Sequence, residues 1–358
     1  KGKSGESWRF PGRARMLQDR KPSITTWLDV LPDGTGNALV VWPECGLHAQ
    51  KFGADGRVLW GANGVVLDKD DVSGRAVADG RGGLVALIHV EAPYNIWADN
   101  TRPKTHSVVR FISPQGNRVK DSPGLFVNPR DAGYRIAPDG RGGIIILETR
   151  RGPGNDGWKK PTLRLLRVGA DAGLVFDRVL ATDALPTTIQ ARDENHALQL
   201  FTEAGGTALV SWRVVTPAAN PDTADPVVDL FFWRIDAGGR PAWPRPARLR
   251  LPGKTGTHGM DNTRGKVMLA AAGAETVVVF ENMLPEQAST TGINMNIFAQ
   301  RINAAGSFTL PGTGRRLTPN GGADPWLLKL NGRPAVIFWD TKKTAKMHEA
   351  LVPFFLFL

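Results

Sequence analysis

One pattern recurs six times along this chain and constrains its fold more than any other feature: a strand-like run, a tight glycine-rich turn and a second, more apolar run. It reads TTWLDVLPDGTGNALVVW (25–42), GRAVADGRGGLVALIH (74–89) and GYRIAPDGRGGIIILE (133–148). It returns as HALQLFTEAGGTALVSW (196–212), KVMLAAAGAETVVVFE (266–281) and PWLLKLNGRPAVIFWD (325–340). Asp-Gly, Asn-Gly and Gly-Gly between apolar runs specify hairpins, because these residues accept positive φ at small cost. These are strands A and B.

A second block follows most copies: LHAQKFGADGRVLW (47–60), SVVRFISPQGNRV (107–119), LRLLRVGADAGLVF (163–176), LFFWRIDAGGRPAW (230–243) and IFAQRINAAGSFTL (297–310). It reads as strand C, a turn and the start of strand D. A basic residue holds one place in strand C: Lys51, Arg110, Arg167, Arg234 and Arg301. Four antiparallel strands recurring at a spacing of roughly 45 to 70 residues are the sequence form of propeller blades.

The pattern predicts an all-β chain forming a single six-bladed β-propeller over 1–358. The blades fall at about 24–68, 73–127, 132–180, 195–250, 265–319 and 324–358, the last completed by residues 8–18. The sixth copy lacks a full second block, and WRFPGRARML (8–17) resembles a strand D, so the N-terminus closes the ring. A two-plus-two closure is the alternative, since Trp8-Arg9-Phe10 also matches strand C of the fourth copy.

Composition narrows the partners. A formal charge of +11 with pI near 10 favours acidic ones, and the basic residues are scattered through every repeat. One cysteine, Cys45, allows neither an internal disulfide nor a cysteine-based zinc site. The six histidines show no metal-ligand spacing, and Asp68, Asp70 and Asp71 read as a solvated acidic turn. No phosphate loop, nucleophile elbow or sialidase-type Asp-box is present, so the expectation is no metal and no cofactor. The apolar end 350–358 is too short to span a bilayer.

The A–B and C–D turns are short, whereas the B–C and D–A segments are long and variable. Insertions gathered on one face mark it as the binding face. There Trp97, Arg102, Lys104, Arg150, Arg151, Trp158 and Lys159 interleave aromatic with basic groups, a pattern that stacks on sugars while pairing with anions. Aligning the ends of strand B places Glu44, His89, Glu148, Arg213, Glu281 and Asp340 around a channel mouth. Converging carboxylates there bind a cation or do acid–base work, or else accept backbone hydrogen bonds from the neighbouring loop.

HAQKFGADGRVLWGANGVVL (48–67) and FAQRINAAGSFTLPGTGRRLT (298–318) resemble a repeat of secreted bacterial β-propeller proteins, in which AQRID is followed by a glycine turn, LW, G and NGV. The first copy carries the pattern most fully. The fifth keeps AQRI but has Ser307 to Leu310 in place of LW. The resemblance implies a propeller fold and an extracellular or periplasmic location, and supplies no catalytic residues.

The expectation for function is a non-enzymatic exported propeller, a rigid platform for other protein subunits in a cell-envelope or extracellular assembly. Two alternatives stand beside it: a lectin-like binder of acidic polysaccharide, and a carbohydrate-active hydrolase or lyase using Glu148, Glu281 or Asp340. Nucleic acid is not an expected partner, because no recognised module is present.

Overall fold

The aspartate of each Asp-Gly turn explains why the A–B hairpins form where they do. Asp33 Oδ1 accepts from the backbone N–H of Thr35 and Asn37 at 2.7 and 2.9 Å. Asp79 repeats this with Arg81 and Gly83, and Asp139 with Arg141 and Gly143. Each carboxylate thereby satisfies two N–H groups that the reversing chain would otherwise leave bare.

The computed structural model describes residues 29–44, 46–69, 74–90, 106–125, 134–150, 162–180, 198–216, 227–251, 266–283, 295–318, 322–330, 333–340 and 352–357. The first sheet runs β1 (Asp29–Pro32), β2 (Ala38–Pro43), β3 (Leu47–Phe52), β4 (Val65–Asp68). The second runs β5 (Arg75–Ala78), β6 (Leu84–Val90), β7 (His106–Ile112), β8 (Arg118–Asp121). The third runs β9 (Tyr134–Pro138), β10 (Ile144–Arg150), β11 (Thr162–Val168), β12 (Leu174–Leu180). The fourth runs β13 (Gln199–Thr202), β14 (Ala208–Thr216), β15 (Val227–Ile235), β16 (Ala247–Leu251). The fifth runs β17 (Val267–Ala272), β18 (Glu275–Met283), β19 (Met295–Ile302), β20 (Arg315–Arg316). The sixth has three described strands, β21 (Gly322–Leu330), β22 (Arg333–Asp340) and β23 (Val352–Phe357). Five antiparallel four-stranded sheets and one of three strands thus follow one another in chain order. The segment expected to complete the sixth, 8–18, lies outside the described residues.

Contacts divide the chain into two compact units. One comprises Lys1–Pro129, Ile136–Ile145 and Arg167–Val175; the other comprises Arg130–Arg135, Ile146–Leu166 and Phe176–Leu358. In the first, Leu39, Val41, Leu47, Leu84, Ile88 and Ile112 are buried together. In the second, Val277, Val279, Ile297, Leu317 and Val336 do the same across the fifth and sixth sheets. Apart from Leu317, which follows β20, both sets come from alternate positions of strands B and C, as a period of two requires.

The strand-C cations neutralise the A–B turns. Lys51 Nζ lies 2.8 Å from Asp33 Oδ2, and both side chains are buried. Arg167 pairs with Asp139 at 2.9 Å, Arg301 with Glu275 at 3.1 Å, and Arg234 with Glu203. Lys51 also donates to Gly82 O of the next sheet at 2.7 Å, and Thr276 of the fifth sheet donates to Glu203 of the fourth.

Arg110 is a correction to this series. Ala38 pairs with Phe52 and Leu84 with Ile112, so the residue matching Lys51 is Phe111, and Arg110 stands one place earlier. A shift of one residue moves a side chain to the other face of a strand. Arg110 accordingly bonds Asp121 at 3.0 Å, Asp68 and Leu67 O, and leaves Asp79 without a strand-C cation. It occupies the place of Gln50 and Gln300. Those glutamines bond the chain after the C–D turn, Gln50 through Gly61 O and Trp60 N, and Gln300 through Leu310 N and O.

The LW segment differs from expectation too. In the first, fourth and fifth sheets the residues after the C–D turn make one isolated bridge (Phe52 with Val58, Ile235 with Pro241, Ile302 with Phe308), and strand D begins later. The segment instead carries an aromatic ring to the next sheet. Trp60 Nε1 donates to Pro114 O at 2.9 Å and Trp243 Nε1 to Ala304 O at 2.8 Å. The rings lie over Gly116 and Gly306, so close that a Cβ on either glycine would sit 2.8 Å from a ring atom. Phe176 covers Gly239 in the same way.

In the second sheet Lys120 holds the place of that aromatic ring, and the residue matching the covered glycine is Ala172, which keeps the turn's left-handed backbone at φ 68. An L-residue pays about 1–2 kcal/mol for that conformation, while glycine loses about 0.4–1 kcal/mol more chain entropy on folding. Ala172→Gly is therefore expected to stabilise the protein by about 0.5–1 kcal/mol, read from urea midpoints. A loss of stability would show that the alanine methyl is needed for packing.

Candidate functional site

Trp97, Arg102, Lys104, Arg151, Trp158 and Lys159 lie outside the described residues, and Arg150 is described only as the end of β10. Of the strand-B ends, His89 shares a hydrogen bond with Ser107 Oγ at 2.7 Å. Glu281 Oε2 accepts from Lys266 N at 2.7 Å, Glu44 Oε2 accepts from Trp42 Nε1 at 3.3 Å, and Arg213 is buried. Asp340 ends β22 and its side chain is outside the description. Register separates these groups. His89, Arg213 and Glu281 each follow directly on the B–C pair described below, Glu148 belongs to that pair, and Glu44 lies one residue further on. Glu148 therefore leaves its strand on the opposite face from His89, Arg213 and Glu281, and Glu44 lies beyond the end of β2.

That cross-strand pair, where strand B ends and strand C begins, singles out the third sheet. It is Trp42 with His48 in the first sheet, stacked with centroids 5.7 Å apart, and Ile88 with Val108 in the second. It is Trp212 with Phe231 in the fourth and Phe280 with Phe298 in the fifth, both stacked. Counting from the A–B turn forward and from the C–D turn back places Glu148 and Arg164 there in the third. Arg164 NH1 donates to Glu148 Oε2 at 3.1 Å, and Glu148 is fully buried. Arg164 Nε donates to Asp177 Oδ1 on β12 at 2.7 Å, and NH2 completes a fork onto the second oxygen.

One guanidinium thus sits between two carboxylates. Burial opposes its charge, but the hydrogen bonds and charges of Asp177 and Glu148 outweigh that, and its pKa lies above the ordinary guanidinium value. Asp177 is the most open to solvent of the three, its side chain 36% exposed against 10% for Arg164 and none for Glu148. Chemically this is an oriented, partly exposed carboxylate held by an arginine near the start of β11 and a glutamate near the end of β10. The sequence pointed to Glu148. It gave no sign of Arg164 or Asp177, whose only signal is that Arg164 breaks an otherwise apolar and aromatic column.

Two further charge clusters are built differently. Asp121 takes both Arg110 and Arg118, and those cations bring its pKa below the usual carboxylate range against the opposing effect of burial. Asp229, buried, takes the exposed Arg248 at 2.6 Å and Arg250 at 3.3 Å. Among the described residues no group of three or more His, Cys, Asp or Glu side chains could hold a metal ion, and no helix is long and apolar enough to cross a membrane.

No protein-family model matches the sequence, and no curated protein matches it. Solved structures do align. A B. megaterium levansucrase mutant shares 12% identity over 78% of each chain, with a TM-score of 0.37. The α-L-arabinofuranosidase of Lactobacillus brevis shares 9% over 77% of this chain and 86% of its own, at 0.35. A GH43_1 enzyme from Xanthomonas citri complexed with xylotriose shares 10% over 80% and 89%, at 0.36. Against these matches the expectation of a non-enzymatic protein-binding platform is corrected and goes no further. A fold does not carry its neighbours' chemistry, so what replaces that reading has to come from this chain's own site.

Proposed function

We propose that this chain is an exported, carbohydrate-active protein, a hydrolase or lyase, whose substrate-facing carboxylate is Asp177. One observation carries the reading: the third sheet replaces the apolar cross-strand pair of its neighbours with the buried pair Glu148–Arg164, which holds Asp177 in a bidentate fork. A stacked pair would serve the fold at smaller desolvation cost. A local rule broken at such cost marks a working site. Arg164 fixes the orientation of Asp177; Glu148 positions Arg164 from behind. As a hydrolase, Asp177 accepts the proton of a water whose oxygen bonds to the anomeric carbon as the glycosidic C–O bond breaks, the departing oxygen taking its proton from solvent.

The six sheets are, in this reading, consecutive blades of one propeller closed by residues 8–18. Support comes from the repeated contact of one sheet's aromatic ring on the next sheet's C–D turn, found at Trp60, Phe176 and Trp243. The AQ-type repeat supports export.

Turnover on a panel of neutral and acidic polysaccharides tests the function. Asp177→Asn is expected to abolish it with the unfolding midpoint little changed. Glu148→Gln is expected to lower kcat at least tenfold and move the pH profile, with KM less affected. Silence of the wild type across the panel, or full activity in Asp177→Asn, would remove the reading.

A further inference from the structure

In the first unit, the A–B turns of three successive sheets line a cavity of about 320 Å³, with Pro32, Gly34, Asp79, Gly80, Arg81 and Pro138 in its wall. Two of the three turn aspartates are spent. Asp33 Oδ2 receives Thr35 Oγ1, Asn37 Nδ2 and Lys51 Nζ, and Asp139 Oδ2 receives Arg167; both acids are fully buried. Asp79 is different. Its Oδ1 holds the turn like the others, but Phe111 stands where the cation should be, and Oδ2 has no partner among the described residues. Asp79 is half-buried and opens on the cavity. Arg81, two residues on, is exposed and lines the same cavity, and among the described residues its guanidinium has no anion.

An unspent carboxylate and an unspent guanidinium in one concavity, walled by proline rings and glycine backbone, call for a ligand with an anion at one end and hydroxyl donors at the other. We infer that this cavity binds a carboxylated sugar: its carboxylate on Arg81, bidentate, and its hydroxyls donating to Asp79 Oδ2, with the prolines against its apolar face. The choice of a sugar rests on the carbohydrate reading above. The vacancy at Asp79 does not, for it follows from the one-residue displacement of the cation in the second sheet.

Calorimetric titration with glucuronate and galacturonate, with glucose as the neutral control, tests the assignment. A uronate is expected to bind and glucose to bind at least tenfold more weakly. Asp79→Asn and Arg81→Gln are each expected to weaken uronate binding at least tenfold. Phe111→Arg supplies the cation that four other sheets possess, so it is expected to fill Asp79 and abolish binding while thermal stability is kept or raised. Should Phe111→Arg fail to fold, the two surface variants still decide. Absence of uronate binding at millimolar concentration, or equal binding in Asp79→Asn and Arg81→Gln, overturns the inference. Glu148→Gln is expected to leave this binding unchanged, so loss of turnover and loss of the cavity site are separable results.

Discussion

Asp33→Ala is expected to lower folding stability by about 3–5 kcal/mol, the range for removing one partner of a buried ion pair. The residue does three things at once. Its Oδ1 accepts the N–H groups of Thr35 and Asn37 and closes the A–B turn. Its Oδ2 neutralises Lys51, whose side chain is 6% exposed. Through Lys51 it reaches Gly82 O and fastens the second sheet to the first. Alanine leaves a buried ammonium with a single carbonyl. Asp33→Ala/Lys51→Met is therefore expected to be more stable than Asp33→Ala alone, because the orphaned charge is gone. The same pair gives a pH signature. Burial raises the pKa of Asp33, but hydrogen bonds from Lys51, Thr35 and Asn37 outweigh it and hold the value far below the ordinary carboxylate range. A depressed pKa means the stabilisation is complete above about pH 4, the unfolded value, and is lost as pH falls toward the folded one. Wild-type urea midpoints should fall with acidification below pH 4 more steeply than those of Asp33→Ala. A variant within about 1 kcal/mol of wild type, below the range for a broken buried pair, or acid curves that run parallel, would show that the pair adds nothing.

What the sequence made legible was local. The hairpins could be read because Asp33, Asp79 and Asp139 bond backbone two and four residues away, within one turn. The sheet order followed, since each A–B and C–D connection is short. Register was harder. Arg110 looks aligned with Lys51 when apolar flanks are matched, yet a side-chain period of two makes a single-residue slip decisive, and only the strand pairing reveals Phe111 in its place. Contacts between sheets were harder still. Nothing near Trp60 in the chain announces Gly116, and the LW motif reads as strand until its ring is seen on the next turn. The Glu148–Arg164–Asp177 cluster needed both kinds of information. Its members come from three strands, and its oddity shows only when the matching pairs of other sheets are set beside it.

Gly306→Ala should be the more informative of the large effects, because its cost depends on a residue from another sheet. Gly306 has φ +83, and a Cβ there would meet Trp243 Cδ2 at 2.8 Å. Left-handed strain contributes about 1–2 kcal/mol and overpacking about 1–3 kcal/mol more, so a loss of about 2–5 kcal/mol is expected. Trp243→Ala removes a ring that is 5% exposed together with its bond to Ala304 O, and is expected to cost about 3–5 kcal/mol. The combination is where the interlock declares itself. With the ring gone the new methyl has room, so Gly306→Ala in the Trp243→Ala background should cost only the conformational strain, about 1–2 kcal/mol. The remainder, about 1–3 kcal/mol, is coupling between the fourth and fifth sheets. Simple additivity would mean that ring and glycine are neighbours without being fitted to each other. Non-additivity would extend to Trp60 with Gly116 and Phe176 with Gly239, which share the geometry. It would also account for the pairing of Lys120 with Ala172: where no aromatic ring lies over the turn, a methyl is tolerated at the left-handed position, and where one does, only glycine fits.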